Sequence, residues 1–389
     1  MPMIRETLAA VLEQSGLAPP YGKSQPLKIR KLALDAPGPG EVLVRIGAAG
    51  LCHSDLSVVS GNRPRPLPMA LGHEAAGEVV ECGAGVRDLA PGDRVVMVFV
   101  PSCGDCLCCM EGKPALCTTG ASANTAGTLL SGERRLRDRD RPVHHHVGVS
   151  CFAEYAVVSR RSCVKIRWDR NELSDWEAAL FGCAVLTGAG AVINTLRVEA
   201  GSSVAVVGLG GVGFSALLAA VAAGARQVVA IDLNPAKLAL AKELGATDVV
   251  DGKDTDAAEI VKKASGGGVD YAIDAAGAVN ALELAWHITR RGGTTVSAGL
   301  PHPTSRFHLP ASQMVAEERV LRGSYMGSSV PARDILRYIE LYLRGKLPVN
   351  RLLGRHIGLH DINDALDRLA TGESLRDIIV FDRVAQAAV

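Results

Sequence analysis

Val204-Ala-Val-Val-Gly-Leu-Gly-Gly-Val-Gly213 decides the fold of one half of this chain. The apolar run Val204 to Val207 reads as a short, fully buried strand, and Phe214 to Ala223 reads as a helix stopped by Gly224. Between them the glycines have separate duties. Gly208 makes the tight turn, Gly210 lets the backbone approach a pyrophosphate, and Gly213 lets helix and strand pack closely. Gly211 and Val212 complete the turn at the helix entrance, where unpaired N–H groups can receive phosphate oxygens. A second strand, Val228 to Ile231, then ends at Asp232. That carboxylate can accept both ribose hydroxyls of adenosine and would repel a 2'-phosphate, which favours NAD over NADP. The blander reading of Asp232 is an acid that merely ends a strand.

The same texture continues outward. Helix Lys237 to Leu244, strand Asp248 to Val250, helix Asp256 to Lys263 and strand Val269 to Ile273 follow in order. A helix over Val279 to Ile288 and a strand over Thr294 to Ala298 complete the series, with Gly245, Gly266 to Gly268, Gly277 and Gly292-Gly293 as punctuation. The consistent solution is a doubly wound parallel sheet, with its nucleotide beyond the strand carboxyl ends where strand order reverses. Lys237 can supplement the ribose or phosphate contacts, or stand as a solvated helix lysine.

A different chemistry sits at Cys103, Cys106, Cys109 and Cys117, spaced Cys-x2-Cys-x2-Cys-x7-Cys. Four thiolates so close together can close a tetrahedral zinc site that leaves no position for substrate, so this metal is a strut. The segment is rich in Gly and Pro, shows no helix or strand period, and needs such a cross-link to hold a shape. An iron-sulfur cluster would more typically have a shorter final spacing followed by proline. Disulfides need an oxidising compartment, and no charged, apolar, cleavable leader pattern opens the chain. Cys108 is a fifth thiol that could replace Cys109, although even three-residue steps favour Cys109.

Composition bounds the rest. At 389 residues two domains are the natural expectation, and 48% hydrophobic residues suffice for two cores. Forty-two Lys and Arg against 41 Asp and Glu leave a net charge of +1, which gives no electrostatic case for nucleic acid. The run Arg134 to Arg141 is interrupted by Asp138 and Asp140 and reads as a solvated loop, with His144-His145-His146 as a polar loop tip. The most apolar run, Ala216 to Ala223, is too short to span a bilayer. No membrane role is expected, and ten cysteines fit metal ligands kept reduced in a cytoplasm.

Before residue 185, short β-like runs alternate with Gly/Pro turns: Leu8 to Leu12, Leu27 to Leu34, Glu41 to Ala48, Gly77 to Val80 and Arg94 to Phe99. After about residue 328 the chain returns with helices near Arg333 to Leu343 and Ile362 to Thr371, then Ile378 to Phe381. Two polar clusters stand out in the first half, Cys52-His-Ser-Asp55 and Gly72-His-Glu74. Spacing alone cannot join Cys52 to His73, or either to Cys183; a buried thiol and a satisfied histidine are equally open readings.

Taken jointly, the motifs resemble one family. Gly50-Leu-Cys-His-Ser-Asp55, Gly72-His-Glu-Ala-Ala-Gly77, the four-cysteine loop, Gly208 to Gly213 and Asp232 occur in the order and spacing of the zinc-dependent medium-chain alcohol dehydrogenases, over nearly the full length. The resemblance implies a Rossmann NAD-binding domain over residues 185–327. A mainly β, GroES-like catalytic domain with the zinc loop would occupy residues 1–184 and 328–389. It implies two zinc ions per chain, with Cys52, His73 and Cys183 holding a second one that keeps a position open for water or the alcohol oxygen. Glu74 is expected behind that metal, and Asp55 is expected to accept from His73 and fix its ring. Zinc in such a site lowers the pKa of the bound alcohol, and the released electron density pushes hydride to the nicotinamide.

By the same resemblance, Ser54 hands the alcohol proton onward, and the relay usually ends at a histidine where this chain has Ser57. A hydroxyl lacks a suitable pKa for that task, so water is expected to take the proton. His53 and Arg376 are expected to face the cofactor phosphates, Thr187 the nicotinamide, and Phe99 to line the substrate channel or simply fill a core. The long stretch between Cys117 and Cys151 resembles the dimeric branches, with Arg291 to Leu300 and the residues after Phe307 as edge strands of a homodimer.

The expected activity is reversible hydride transfer between a primary aliphatic or aromatic alcohol, or its aldehyde, and NAD. Ala121 stands where the glutathione-adduct branch carries an arginine, which weakens a thiol-adduct formaldehyde dehydrogenase, although Arg134 to Arg141 could supply another cation. Two further alternatives are a reductase that uses NAD(P)H on activated alkenes, against which Cys52, His73 and Cys183 speak, and a zinc-stabilised nucleotide-binding protein without turnover.

Overall fold

The computed structural model describes residues 5–381. Its nucleotide half is a six-stranded parallel sheet in the spatial order Asp248–Asp251, Gln227–Asp232, Ser203–Val207, Val269–Asp274, Thr289–Ser297, Val320–Gly323. The first strand in sequence is therefore central, and the order reverses between Ser203–Val207 and Val269–Asp274. That is the switch point expected for a doubly wound sheet. Every residue of Ser203–Val207 is buried, as suits a strand covered on both faces. Helices Gly211–Ala222, Pro235–Glu243, Ala257–Ser265 and Val279–Ile288 supply the crossovers. The cluster around Ala205, Val229, Ile231, Val261, Ala272 and Ile288 forms the core beneath one face.

Two details of this sheet differ from expectation. The strand expected at Thr294 to Ala298 begins at Thr289, with a bulge in its pairing to Val269–Asp274. Residues 290–292 are exposed, so no apolar period announces the early start. The residues after Phe307, expected as an edge strand, reach the sheet only at the sixth strand, Val320–Gly323, whose place no apolar period marks because only Leu321 in it is even half-buried. It lies at the margin, so Thr289–Ser297 is paired on both sides and Arg291 to Leu300 is not an edge.

The other unit is mainly β. Strands Arg5–Leu12, Leu27–Leu34, Leu136–Asp138, Arg141–His145 and Met69–Ala70 close into a small barrel. A second sheet runs Cys163–Lys165, Arg94–Met97, Glu74–Cys82, Glu41–Gly50, Ile378–Val380, His356–Ile357, with Tyr155–Ser159 also on Glu41–Gly50. The expected strands in this region all exist, displaced by a few residues at their ends. Ile378–Val380 pairs with Ala48 to Gly50, and Leu51 N–H donates to Asp377 O at 3.0 Å. The C-terminal segment is thereby stitched to the strand that leads into Cys52. One buried ion pair fixes the base of this sheet: Arg94 reaches Asp175 at 2.6 Å and also donates to the carbonyls of Trp168 and Leu173.

Chain contacts divide the protein after Cys183, after Ser329, and again around Glu340–Arg351, which groups with the nucleotide unit. The expected limits at 184 and 328 lie within two residues of the first two divisions. The excursion at Glu340–Arg351 has no counterpart in the sequence reading, which kept residues 328–389 together.

Three local expectations are corrected. The cysteine loop is not irregular throughout: it holds one-turn helix Leu107–Met110, the 3-10 turn Pro114–Leu116 and helix Thr118–Ala126. Arg134 to Arg141 is no solvated loop, since Leu136–Asp138 and Arg141–His145 form an antiparallel hairpin. Its Arg135 and Arg137 are spent on Glu41 and Asp35. The triple histidine is no loop tip either, because His145 and His146 are 1% and 3% exposed. His145 pairs with Ala70 and accepts from Arg135 N–H, while His146 packs against Asp55 and His73. No single helix among the described residues is long and apolar enough to cross a membrane.

Candidate functional site

At the glycine-rich turn each glycine meets a different constraint. Gly208 has φ +91, and a Cβ there would collide with Ala276. A Cβ on Gly213 would collide with the carbonyl oxygen of Gly208, so this residue sets how closely helix and strand approach. A Cβ on Gly210 would meet nothing within 4 Å. Protein packing does not explain that glycine, but room for a ligand does. Gly210 caps helix Gly211–Ala222 without any side-chain hydrogen bond, so no capping side chain takes up the first-turn N–H groups of Gly211, Val212 and Gly213.

Asp232 terminates its strand half-buried. One oxygen accepts from Leu209 N–H at 2.6 Å and the other from Asn234 N–H at 2.9 Å. Each oxygen keeps a further lone pair for a ribose hydroxyl, so the residues fit an NAD adenosine. Lys237 is half-buried in the first turn of helix Pro235–Glu243. Sequence reading missed Asp274. This 1%-exposed carboxylate accepts from Ala276 N–H, Gly277 N–H and Ser297, fixing the turn on which Gly208 rests. Its signal was visible in principle, an acid at the end of a central strand. Thr187 is buried in helix Ala184–Gly190 of the same unit.

The cysteine loop gathers the Sγ atoms of Cys103, Cys106, Cys109 and Cys117 within 4.8 Å of one another. The Cys106–Cys117 and Cys103–Cys117 separations are 3.9 and 3.5 Å, against edges of about 3.8 Å for a tetrahedron of zinc–sulfur bonds. Backbone N–H groups of Cys103, Cys106 and Gly120 point at these sulfurs. Backbone donors, that of Cys109 first, push the Cys106 thiol down to about 6, toward the thiolate a metal requires. The set fits a closed zinc site, and Cys108 lies outside it.

A second cluster is fully buried. Cys52, His73 and Cys183 bring two sulfurs and one ring nitrogen within 4.8 Å, although they lie far apart in sequence. Cys52 precedes helix His53–Val59, His73 precedes strand Glu74–Cys82, and Cys183 follows the turn Leu180–Gly182. A hydrogen bond from Cys183 pushes the Cys52 thiol well below its ordinary range, against burial, and Arg376 and His73 add to the effect. Three soft or borderline donors in this number fit a zinc with a position left over.

The surrounding groups are set around these three. Asp55 is fully buried; one oxygen accepts from Cys52 N–H at 3.0 Å and the other lies 3.0 Å from His73 Nδ1. Burial pushes the Asp55 carboxyl up, but His73 and His146 outweigh it and the net direction is down. Glu74 is opposite Gly50, where a Cβ would collide with its carboxylate. Arg376 is held beside the metal cluster. It is 4% exposed, donates to Leu51 O at 2.8 Å and lies 3.5 Å from Glu74, so its observed partners belong to the metal cluster. The edge-to-face ring contact of Phe99 with His73, at 5.5 Å, puts that side chain beside the cluster. His53 is exposed, and Ser54 is half-buried.

His146 is the residue that sequence reading assigned wrongly. Its Nδ1 lies 3.3 Å from the same Asp55 oxygen that meets His73, and the two imidazoles meet edge to face at 5.5 Å. Desolvation pushes its imidazole down, as it pushes neighbouring His145 to about 3. The only sequence clue was a histidine run at the end of a strand in a hairpin.

Fold and donor sets together define a zinc-binding dehydrogenase. Residues 38–167 match the family described as alcohol dehydrogenase GroES-like domain, and residues 211–343 the one described as zinc-binding dehydrogenase. An S-(hydroxymethyl)glutathione dehydrogenase of Synechocystis is 35% identical over 95% of this chain and all of its own length. The crystal structure of an alcohol dehydrogenase zinc-binding domain protein from Burkholderia ambifaria superimposes with a TM-score of 0.91 at 36% identity, covering 98% of this chain and 100% of that one. Benzyl alcohol dehydrogenase from Acinetobacter calcoaceticus gives 0.89 at 32%, covering 97% and 100%. The chain belongs to the zinc-dependent medium-chain alcohol dehydrogenase family and is an NAD-dependent oxidoreductase.

The glycine geometry makes a separable prediction. Gly210→Ala adds a methyl where no protein atom stands, so the thermal midpoint stays within about 1 °C while NAD affinity drops roughly tenfold or more. Gly213→Ala pushes into the Gly208 carbonyl and lowers both. Calorimetry and NAD titration on the two variants check this; equal loss of stability would contradict it.

Proposed function

We propose that this chain reversibly oxidises primary alcohols to aldehydes with NAD, using Cys52, His73 and Cys183 to hold a working zinc. The observation that carries the reading is the buried trio of two thiols and one imidazole, beside a separate set of four thiols. A closed set suits a structural metal, whereas three protein donors suit a catalytic one. Zinc, when bound, supplies Lewis acidity toward a hydroxyl or carbonyl oxygen, and NAD supplies the hydride acceptor.

The protein's own groups do the rest. Asp55 holds the His73 ring from behind, and Glu74 and Arg376 form a buried charge pair next to Cys52. Ser54, half-buried near Cys52, passes the hydroxyl proton outward. Ser57 cannot end that relay. Its hydroxyl donates to His53 O at 2.8 Å and has no proton affinity suited to neutral pH. Water therefore takes the proton, and external buffer speeds the step. His53, Thr187, Asp232 and Lys237 serve the cofactor in this reading, and the Phe99 ring gives the substrate an apolar neighbour.

An aliphatic or aromatic primary alcohol is the substrate class we favour, and the similarity to a benzyl alcohol dehydrogenase supports an aromatic member. A thiol-adduct aldehyde is the second reading, raised by the glutathione-linked relative. Against it stand Ala121 at an exposed helix position and the internal pairing of Arg135 and Arg137, which removes two candidate cations for a carboxylated thiol. We further propose a cytoplasmic homodimer joined through the sheet margin at Val320–Gly323, where Val320 is 43% exposed.

Two measurements follow. A panel of aliphatic and aromatic alcohols with NAD, read at 340 nm, gives turnover in the parent and at least about a hundredfold less in Cys183→Ser. No turnover in a preparation containing both metals would sink the reading. Ser57→His should flatten the dependence of rate on buffer concentration, and identical buffer responses would refute the role given to water.

A further inference from the structure

His146 lies outside every motif that points to the metal, yet it is built into the support of a metal ligand. Its ring is 3% exposed. Nδ1 is buried, makes no well-aligned hydrogen bond, and faces the Asp55 oxygen at 3.3 Å. That oxygen also meets His73 Nδ1 at 3.0 Å, while the other Asp55 oxygen holds Cys52 N–H. A wholly buried carboxylate needs donors on all sides, and this one has a backbone N–H and two imidazoles as its described neighbours.

The backbone carrying His146 has its own peculiarity. Val147 and Ser150 both occupy the left-handed region, at φ 45 and 53, which is unusual for a β-branched residue such as Val147. Cross-links hold the turn there. His146 N–H donates to Ser150 Oγ at 2.8 Å, and Ser150 Oγ donates to Ala70 O at 2.7 Å. Phe152 N–H reaches Leu71 O and Cys151 N–H reaches Gly72 O, at 3.0 and 3.2 Å. Gly72 has φ +94, and a Cβ there would run into Phe152. The turn is therefore fastened to the three residues that immediately precede His73.

We propose that His146 is a positioning residue for His73, acting through Asp55 by setting a second imidazole Nδ1 against the shared carboxylate oxygen at 3.3 Å. The proposal rests on His73 being a ligand of the working zinc. With two rings on one oxygen, the carboxylate cannot swing toward either without loosening the other. The orientation of His73 is thereby held from a hairpin distant in sequence, in addition to the Cys52 helix that carries Asp55. Removing that ring nitrogen frees Asp55 to tilt and lets the His73 ring rotate off its metal.

The test uses the two-zinc holoenzyme and follows zinc release to a chromogenic chelator, with the cysteine-loop zinc as the internal reference. His146→Phe keeps a ring but no donor, and should release one zinc about tenfold faster while leaving the other unchanged. His146→Asn restores an N–H near the Nδ1 position and should return release to within about threefold of the parent. His146→Gln carries its amide at the Nε2 position, misses Asp55, and should release like the Phe variant; it serves if the Phe variant does not fold. Cobalt substitution of the fast site should shift the ligand-field bands in Phe and Gln but not in Asn. Release equal to the parent in both Phe and Gln overturns the proposal, as does Asn behaving like Gln. A parent that retains only the cysteine-loop zinc would instead overturn the dehydrogenase reading on which the proposal stands.

Discussion

The buried contact between Asp55 and His73 is the constraint around which the catalytic unit is arranged. A carboxylate with no exposure to solvent is tolerated only where donors surround it. Here the donors are the N–H of Cys52 and the ring of His73, so one charge fixes two of the three groups in the buried trio. Several features follow from making room for that cluster. Gly50 leaves space for Glu74, and Arg376 is drawn inward by the C-terminal strand to sit between Glu74 and Leu51 O. Breaking the Asp55 contact would leave an uncompensated buried charge and an unrestrained imidazole together.

Two thiol-rich clusters in one unit then differ by their surroundings as much as by their donors. The four-cysteine set sits in a loop with exposed Leu107, Met110 and Leu116, and receives backbone N–H groups. It uses every ligand it has, and its contribution is to fold a loop that buries little apolar surface. The Cys52, His73 and Cys183 set is buried, at most 6% exposed, beside charged groups held in pairs. Low exposure strengthens electrostatics at an oxygen entering the proposed open position.

Much of this was legible in the sequence, and the limits were physical. Gly208, Gly210 and Gly213 could be assigned separate duties because strand and helix patterns flank them. Space around a Cβ differs at each: Ala276 blocks it at Gly208, the Gly208 carbonyl blocks it at Gly213, and it is open at Gly210. Fully buried strands such as Ser203–Val207 announce themselves, while Val320–Gly323 does not, since an exposed margin strand has no apolar period. Cys52, His73 and Cys183 could be joined only through resemblance, because no spacing rule spans such separations. His146 escaped notice because polar composition suggests solvent, whereas its burial comes from contacts with Asp55 and His73, both distant in sequence.

The central claim is one closed and one open zinc site in the same chain. Zinc-edge X-ray absorption of the holoenzyme tests it most directly, because sulfur and lighter ligands scatter differently at distinct bond lengths of about 2.3 and 2.0–2.1 Å. Six cysteine sulfurs, four in one set and two in the other, predict an average of three sulfurs and one nitrogen or oxygen per zinc. An average of four sulfurs would mean that only the cysteine loop holds metal, and would contradict the account.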